Sequence, residues 1–385
     1  MSILSAIGLG AGRKIRYAIV GVGDIAQEAM MPGVAHTGNS EITALVTSDS
    51  EKARKVGEQY GVADTYGYGQ FDDMLASGKV DAIYLATPNW RHGEFVMPAL
   101  KAGVHVLVEK PLEVSTQRCH DIMEAARESK AKLMVAYRLH FEPATLATIE
   151  RIRSGEFGEI HLFTSTFVQK VDPANHRAHN GVDAGPIFDM GPYPLNAARY
   201  VFGEEPTEVV SATGVRHPEA GLGDFDDTVA VTLRFPGDRL AQFSVSYALN
   251  AFESFSALGT KGSIAMQPCY TYGKPLAHTA IIGQDVHTHS FKNTDHFGGE
   301  MKYFSDCILN GTDPEPDAEE GYADVRVLEG IVKALQSGSA VKLRPFARKR
   351  RIDTSMQKQT LRAIKSPDLV NTSNPGVGVD KVPKN

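Results

Sequence analysis

Val104-His105-Val106-Leu107-Val108-Glu109-Lys110-Pro111 is the stretch around which this 385-residue chain arranges itself. Its first five residues are mostly apolar and read as a strand buried on both faces, the kind that parallel sheets use. The run closes on an acid, a lysine and a proline. Pro111 stops the strand and holds Lys110 extended. In an open α/β sheet, ligands gather beyond the carboxyl ends of the strands. Lys110 is therefore expected at the rim of a crevice, within reach of a substrate hydroxyl.

Working outward, the flanking sequence alternates strand and helix. Residues 15–20, 41–47, 80–86 and 132–136 read as further buried strands. Helices are expected over 50–60, near 70–76, over 91–102 ending at Gly103, and over 115–129 with Ser115 as N-cap. That alternation predicts a doubly wound parallel sheet over residues 15–137. After the first strand comes Gly21-Val22-Gly23-Asp24-Ile25-Ala26. Gly21 permits a tight turn, Gly23 lets the backbone approach a pyrophosphate, and Ala26 keeps helix and strand close. The helix that follows offers free N–H groups and a positive dipole end to phosphates. Gly8-Leu9-Gly10-Ala11-Gly12 mimics the same fingerprint, but no strand precedes it, so residues 1–14 read as an arm.

The end of the second strand selects between dinucleotides. An acid there reads the 2′-hydroxyl of NAD and repels a 2′-phosphate. Here the tip is Thr47-Ser48, followed by Asp49 and then Lys52. Small hydroxyls and a lysine one turn on suit the phosphate of NADP, while Asp49 argues for NAD. NADP is the expectation.

Three motifs occur in order: the glycine turn, Thr87-Pro88-Asn89 with His92, and Glu109-Lys110-Pro111. Together they resemble the Gfo/Idh/MocA oxidoreductase family over about residues 15–345. The resemblance implies a Rossmann domain joined to an α+β substrate domain, with Asn89, Glu109 and Lys110 beside a nicotinamide. Glu51-Lys52-Ala53, Tyr137-Arg138-Leu139-His140-Phe141-Glu142-Pro143 and Phe202-Gly203-Glu204-Glu205-Pro206 are similar to the glucose–fructose oxidoreductase branch. An aldose–aldose oxidoreductase would look alike. That likeness implies tightly held NADP, with Thr47 and Lys52 at its 2′-phosphate, and hydride passed between two sugars. The residues expected at the cofactor are Gly21, Gly23, Asp24, Ile25, Ala26, Thr47, Ser48, Lys52, Thr87, Pro88, Asn89, His92, Glu109, Lys110, Arg138 and Arg177.

In the second half, residues 141–154 read as a helix and 159–169 as a long strand. An irregular loop over 171–186 carries Asn175, His176, Arg177 and His179. Asp189-Met190-Gly191-Pro192-Tyr193 follows. On a continuous helix Asp189 and Tyr193 share one face. Hydride leaves carbon only if the adjacent hydroxyl loses its proton, so a base must reach that proton. Tyrosine is a poor base at its reference pKa of about 10. A neighbouring ammonium favours the phenolate. Lys110, Asp189 and Tyr193 are therefore the expected catalytic set, with Asp189 orienting the substrate or the lysine. The competing readings are an Asp189 that caps the next helix and a Tyr193 that only fills core. His176/His179 and His287/His289 have ligand-like spacing, but no set of three or four converges, so no metal is expected.

Residues 207–291 are β-rich. Val229, Val231, Leu233 and Phe235 alternate with polar or small residues, as in an antiparallel sheet with one open face. Within the family such a face pairs two subunits, which implies a homodimer or higher homo-oligomer here. The α+β domain is placed at 138–345, with helices over 298–309 and 318–335. Residues 346–385, with the basic run Arg348-Lys349-Arg350-Arg351, read as an extended tail whose charges are solvated or meet another subunit.

The composition is 42% hydrophobic and 22% charged, with a net charge of -6. That balance argues against nucleic acid. No apolar run reaches the roughly 18 residues of a membrane span. Three dispersed cysteines suggest a reducing compartment. The expected location is the cytoplasm, or the periplasm if a leader has been removed. The function expected from all of this is NADP-dependent oxidation and reduction of sugar hydroxyls. The alternatives are a dihydrodiol, xylose or 1,5-anhydrofructose dehydrogenase with exchanging cofactor, and a non-catalytic NADP sensor.

Overall fold

The computed structural model describes residues 12–348, 350–373 and 376–377, so most of the expected N-terminal arm lies outside the described residues. Strands β1 (Ile15–Val20), β2 (Ser40–Val46), β3 (Asp64–Tyr66), β4 (Ala82–Leu85), β5 (His105–Glu109) and β6 (Leu133–Ala136) form one sheet. Their order is β3-β2-β1-β4-β5-β6, and every pairing is parallel. The strand order reverses between β1 and β4, which opens a crevice at their carboxyl ends. Val106, Leu107 and Val108 of β5 are fully buried because both faces of the sheet are covered. Phe95, Val96, Ile122 and Met123 pack on one face. On the other, Met30 and Val56 are joined by Phe297, Met301 and Phe304. Those three belong to the helix His296–Asn310, so a late segment of the sequence completes the first domain.

The helix Ser50–Tyr60 matches its sequence reading: Asp49 caps its start and Gly61, at φ 69°, ends it. Ser115 occupies the N-cap position of Thr116–Glu128, but its side chain makes no capping bond.

The second sheet uses longer, alternating strands. They are β7 (Ile160–Val168), β9 (Glu208–Val215), β10 (Thr228–Phe235), β11 (Arg239–Ser246), β12 (Phe252–Gly259), β13 (Gly262–Met266), β14 (Ala277–Ile282), β15 (Asp285–Ser290) and β16 (Val341–Lys342). The short β8 (Lys170–Val171) leaves this sheet to pair with β17 (Gly376–Val377). The nine strands run β15-β14-β13-β12-β7-β11-β10-β9-β16, antiparallel except for β7 beside β11. Val229, Val231, Leu233 and Phe235 point into the core, as their alternation predicts. The helix Ala318–Ser337 joins the domains: Val325 lies in the first core, and Leu328 and Ile331 lie in the second.

The tail departs from the sequence reading. The Arg348 side chain is fully buried and pairs with Glu315, with Asp317 at 2.8 Å and with Glu320 at 2.7 Å. Arg351 reaches Glu205 at 2.9 Å. These two arginines are neither solvated nor left for another subunit; they neutralise carboxylates buried where the tail packs on the helix Ala318–Ser337. Among the described residues, no helix is long and apolar enough to cross a membrane.

Candidate active site

A cavity of about 510 Å³ lies between the domains, along the carboxyl ends of β1, β2, β4 and β5. The glycine turn forms one wall. Gly21 has φ +89°, and a Cβ there would sit 2.6 Å from the Ala86 carbonyl oxygen, so both its conformation and its neighbour demand glycine. A Cβ on Gly23 would meet nothing within 4 Å, which leaves the approach to a ligand open. Asp24 and Ile25 line the cavity, whereas Ala26 is fully buried and serves the packing of helix on strand.

Thr47, Ser48 and Lys52 line the far end. Asp49 is already engaged: one carboxylate oxygen accepts from the Lys52 backbone N–H at 2.9 Å and the other from Asn371 Nδ2 at 3.0 Å. Its pKa is lowered, chiefly by the Lys52 backbone bond.

Thr87, Pro88 and Asn89 follow β4 and also line the cavity. His92 does not. It is fully buried, with Nδ1 2.9 Å from the Pro111 carbonyl oxygen and Nε2 3.1 Å from that of Thr87. Burial lowers its pKa to about 4, so it is neutral and holds one N–H to share between the two loops. The sequence reading placed His92 at the cofactor; the structure makes it a tie between the two loops that do line the cavity.

At the centre, Lys110 Nζ donates to the Asp189 carbonyl oxygen at 2.6 Å and lies 3.4 Å from its Oδ1. The same ammonium sits 4.7 Å from the ring centroid of Tyr193. Asp189 ends the turn Pro186–Asp189, and Tyr193 is the second residue of the helix Pro192–Phe202. The two share a site without sharing a continuous helix. Arg177, from the turn His176–Ala178 in the loop, donates from Nε to Asp189 Oδ2 at 2.9 Å. Burial alone would raise the Asp189 pKa. The Arg177 and Lys110 charges and the Tyr247 hydroxyl outweigh it and hold the carboxyl well below the usual range.

Arg138 donates to the Tyr193 hydroxyl at 3.2 Å and also bonds the Tyr270 carbonyl oxygen. The sequence reading assigned it to the cofactor, and the structure places its guanidinium on the tyrosine. Glu109 accepts from the Tyr84 hydroxyl at 2.6 Å; burial raises its pKa against that bond and the charges of Lys110 and Arg138.

Tyr247 is a contributor that sequence reasoning missed. It is fully buried just beyond β11, with its hydroxyl 2.8 Å from Asp189 Oδ2. A tyrosine closing a β-rich run carries no local mark that separates it from core. Glu253, Tyr270 and the tail residues Asn371, Thr372 and Ser373 also line the cavity without having been foreseen. Among the described residues, no three His, Cys, Asp or Glu side chains come together as a metal site.

The cleft fits a dinucleotide on its own atoms. Besides the open space at Gly23, Asp24 Oδ1 and Thr87 Oγ1 are buried without a hydrogen-bond partner among the described residues, and both residues line the cavity. A six-stranded dinucleotide sheet whose crevice meets a lysine, an acid and a tyrosine at a second domain defines an NAD(P)-dependent oxidoreductase. Comparison with known proteins specifies the class. Residues 15–137 match the model of the oxidoreductase family with an NAD-binding Rossmann fold, and residues 145–265 match the GFO/IDH/MocA C-terminal domain. D-xylose 1-dehydrogenase [NADP(+)] of Haloarcula marismortui is 32% identical over 86% of this chain and 93% of its own. Human trans-1,2-dihydrobenzene-1,2-diol dehydrogenase is 26% identical over 83% and 97%. The crystal structure of aldose-aldose oxidoreductase from Caulobacter crescentus complexed with glycerol superimposes with a TM-score of 0.81, at 32% identity, over 86% of this chain and all of that one. The chain belongs to the GFO/IDH/MocA oxidoreductase family.

Proposed function

We infer that this protein is an NADP-dependent oxidoreductase acting on the CH–OH groups of sugars. The observation that carries the reading is the convergence of Lys110, Arg138 and Tyr193 in one cavity with the glycine turn. When bound, the nicotinamide supplies the acceptor and donor of hydride. The chain's own residues manage the proton. Tyr193 Oη takes the proton of the substrate hydroxyl as hydride departs, and gives it back in the reverse direction. Lys110, 4.7 Å from the ring centroid, and Arg138, bonded to the hydroxyl, place positive charge near that oxygen and stabilise the negative charge it carries before it takes the proton. Asp189 positions Lys110 through its carbonyl and Arg177 through its carboxylate.

The choice of NADP rests on the β2 tip. The one acid there, Asp49, spends its carboxylate on the helix cap and on Asn371, while Lys52 remains on the cavity wall. The sugar class follows from the two relatives at 32% identity, one named for D-xylose and the other for two aldoses. The second of these favours a coupled reaction in which one sugar is oxidised, NADPH is held, and another sugar is reduced. The first favours an ordinary dehydrogenase with exchanging cofactor. Purified protein tested with a panel of aldoses, with and without added NADP, separates them. Turnover of a sugar pair without added nucleotide supports coupling, and dependence on added NADP supports exchange. Failure to reduce NADP or oxidise NADPH with any sugar or ketose overturns the reading.

A further inference from the structure

Tail residues 370–373 and 376–377 lie across the nucleotide cleft and are fastened on both sides of it. On the first domain, the Gln27 side chain grips Val370 at both backbone atoms: Nε2 donates to the Val370 carbonyl oxygen at 3.0 Å, and Oε1 accepts from the Val370 N–H at 2.8 Å. Gln27 is buried, and the same Nε2 lies 3.1 Å from the Val22 carbonyl oxygen inside the glycine turn. Next along the tail, Asn371 donates to Asp49 at the adenosine-ribose end of the crevice. On the second domain, the buried Asn175 donates to the carbonyl and hydroxyl oxygens of Ser373, both at 3.3 Å. Gly376 and Val377 then pair antiparallel with Val171 and Lys170.

Asn175 also accepts from the backbone N–H of Arg177 at 3.0 Å, and Arg177 holds Asp189. The segment therefore runs from the ribose-binding tip to the loop whose Arg177 holds Asp189. Asn371, Thr372, Ser373 and Gly376 form part of the cavity wall between these fastenings.

We propose that this segment is a strap over the bound dinucleotide, which must lift for NADP to enter or leave and so sets how long the cofactor stays. The inference rests on the reading of the cleft as a nicotinamide-nucleotide site. The fastenings suit the role. They are a handful of hydrogen bonds and a two-residue strand pair, few enough to open and enough to favour the closed state. The upstream tail is held independently, through the Asp295 N–H to the Leu361 carbonyl oxygen and through buried Ile352, so the strap can open without releasing the rest. A protein that keeps one nucleotide through an oxidation and the next reduction needs such a retention device. An enzyme that exchanges nucleotide every turnover would instead be limited by its opening.

The test compares the full chain with two variants: a truncation after Leu369, and Val370→Pro, which removes the N–H bonded to Gln27 while leaving Gln27 and the glycine turn intact. NADPH is loaded and chased with excess NADP, and its release is followed by fluorescence. Val370→Pro takes one hydrogen bond from the closed state and speeds release by about threefold or more, and the truncation, which removes every fastening, speeds it by about tenfold or more. NADP also protects the strap of the full chain against proteolysis. If both variants release NADPH within about twofold of the full-chain rate, the strap is overturned while the nucleotide site stands. If the full chain binds neither NADP nor NADPH, both readings fall. Should the truncation misfold by circular dichroism, Val370→Pro alone decides.

Discussion

Asp189 is held at once by Arg177, Lys110 and Tyr247. Arg177, Lys110 and Tyr247 hold its pKa below the ordinary value near 4. A group with a depressed folded pKa contributes stability that is present above the unfolded pKa and lost as pH falls through the folded one. Asp189→Asn is thus expected to cost about 3 kcal/mol at neutral pH, where it leaves Arg177 and Lys110 without their counter-charge. The gap to wild type should narrow as pH falls below about 4, and urea titrations at several pH values measure it. Gly21→Ala acts differently: its Cβ meets the Ala86 carbonyl in a left-handed backbone region. The conformation alone costs about 1–2 kcal/mol, and the contact adds to it, so a lower urea midpoint should accompany weaker NADP binding. Gly21 was legible from sequence as a turn glycine; Asp189 was named from a helical spacing to Tyr193 that the fold does not keep, although both residues line the cavity. Tyr247 was not legible, because its role exists only once the strand end meets the turn that carries Asp189.

Among the elements, the helix Ala318–Ser337 and the tail that packs on it carry an ion network whose members were read separately. Arg348 looked like part of a solvated basic run, because composition cannot show that Glu315, Asp317 and Glu320 surround it. Arg348→Met should cost about 3–5 kcal/mol in urea, the usual result of leaving buried carboxylates unpaired. Burial raises the Glu315 pKa to about 8 against the opposing Arg348 charge. A raised folded pKa means stability fully present below the ordinary glutamate value and lost as pH rises through about 8. The melting temperature should therefore fall between about pH 5 and 8, and Glu315→Gln should flatten that slope. The regular helices and strands were readable from their periodicity and caps. The loop over 171–186 was not, because its short turns are set by tertiary contacts such as Asn175 with Arg177.

For the molecule as a whole, the open face of the second sheet carries the expectation of self-association. Register puts Val286, Ile281, Ser263, Leu258, Leu162 and Leu240 in one row across six strands. Val286, Ile281 and Leu258 are exposed. An apolar row broken only by Ser263, with three of its side chains exposed, is costly in water and suits a second copy. Light scattering should give twice the chain mass of 41.7 kDa, and Ile281→Lys with Val286→Lys should halve it. The two-domain plan was legible because each half repeats its own period. The placement of the helix His296–Asn310 on the first sheet and of the strap on the cleft was not, since Asn371 and Asp49 meet across 322 positions.

In the proposed reaction Tyr193, with Lys110 over its ring and Arg138 on its hydroxyl, moves the proton that hydride transfer requires. Wild type and Tyr193→Phe, each loaded with NADP and mixed with the preferred aldose in a single turnover, test it through the rise of reduced-nicotinamide absorbance. The rise should be slower by about 10²-fold or more in Tyr193→Phe, with NADP affinity unchanged. Equal rates in the two proteins would contradict it.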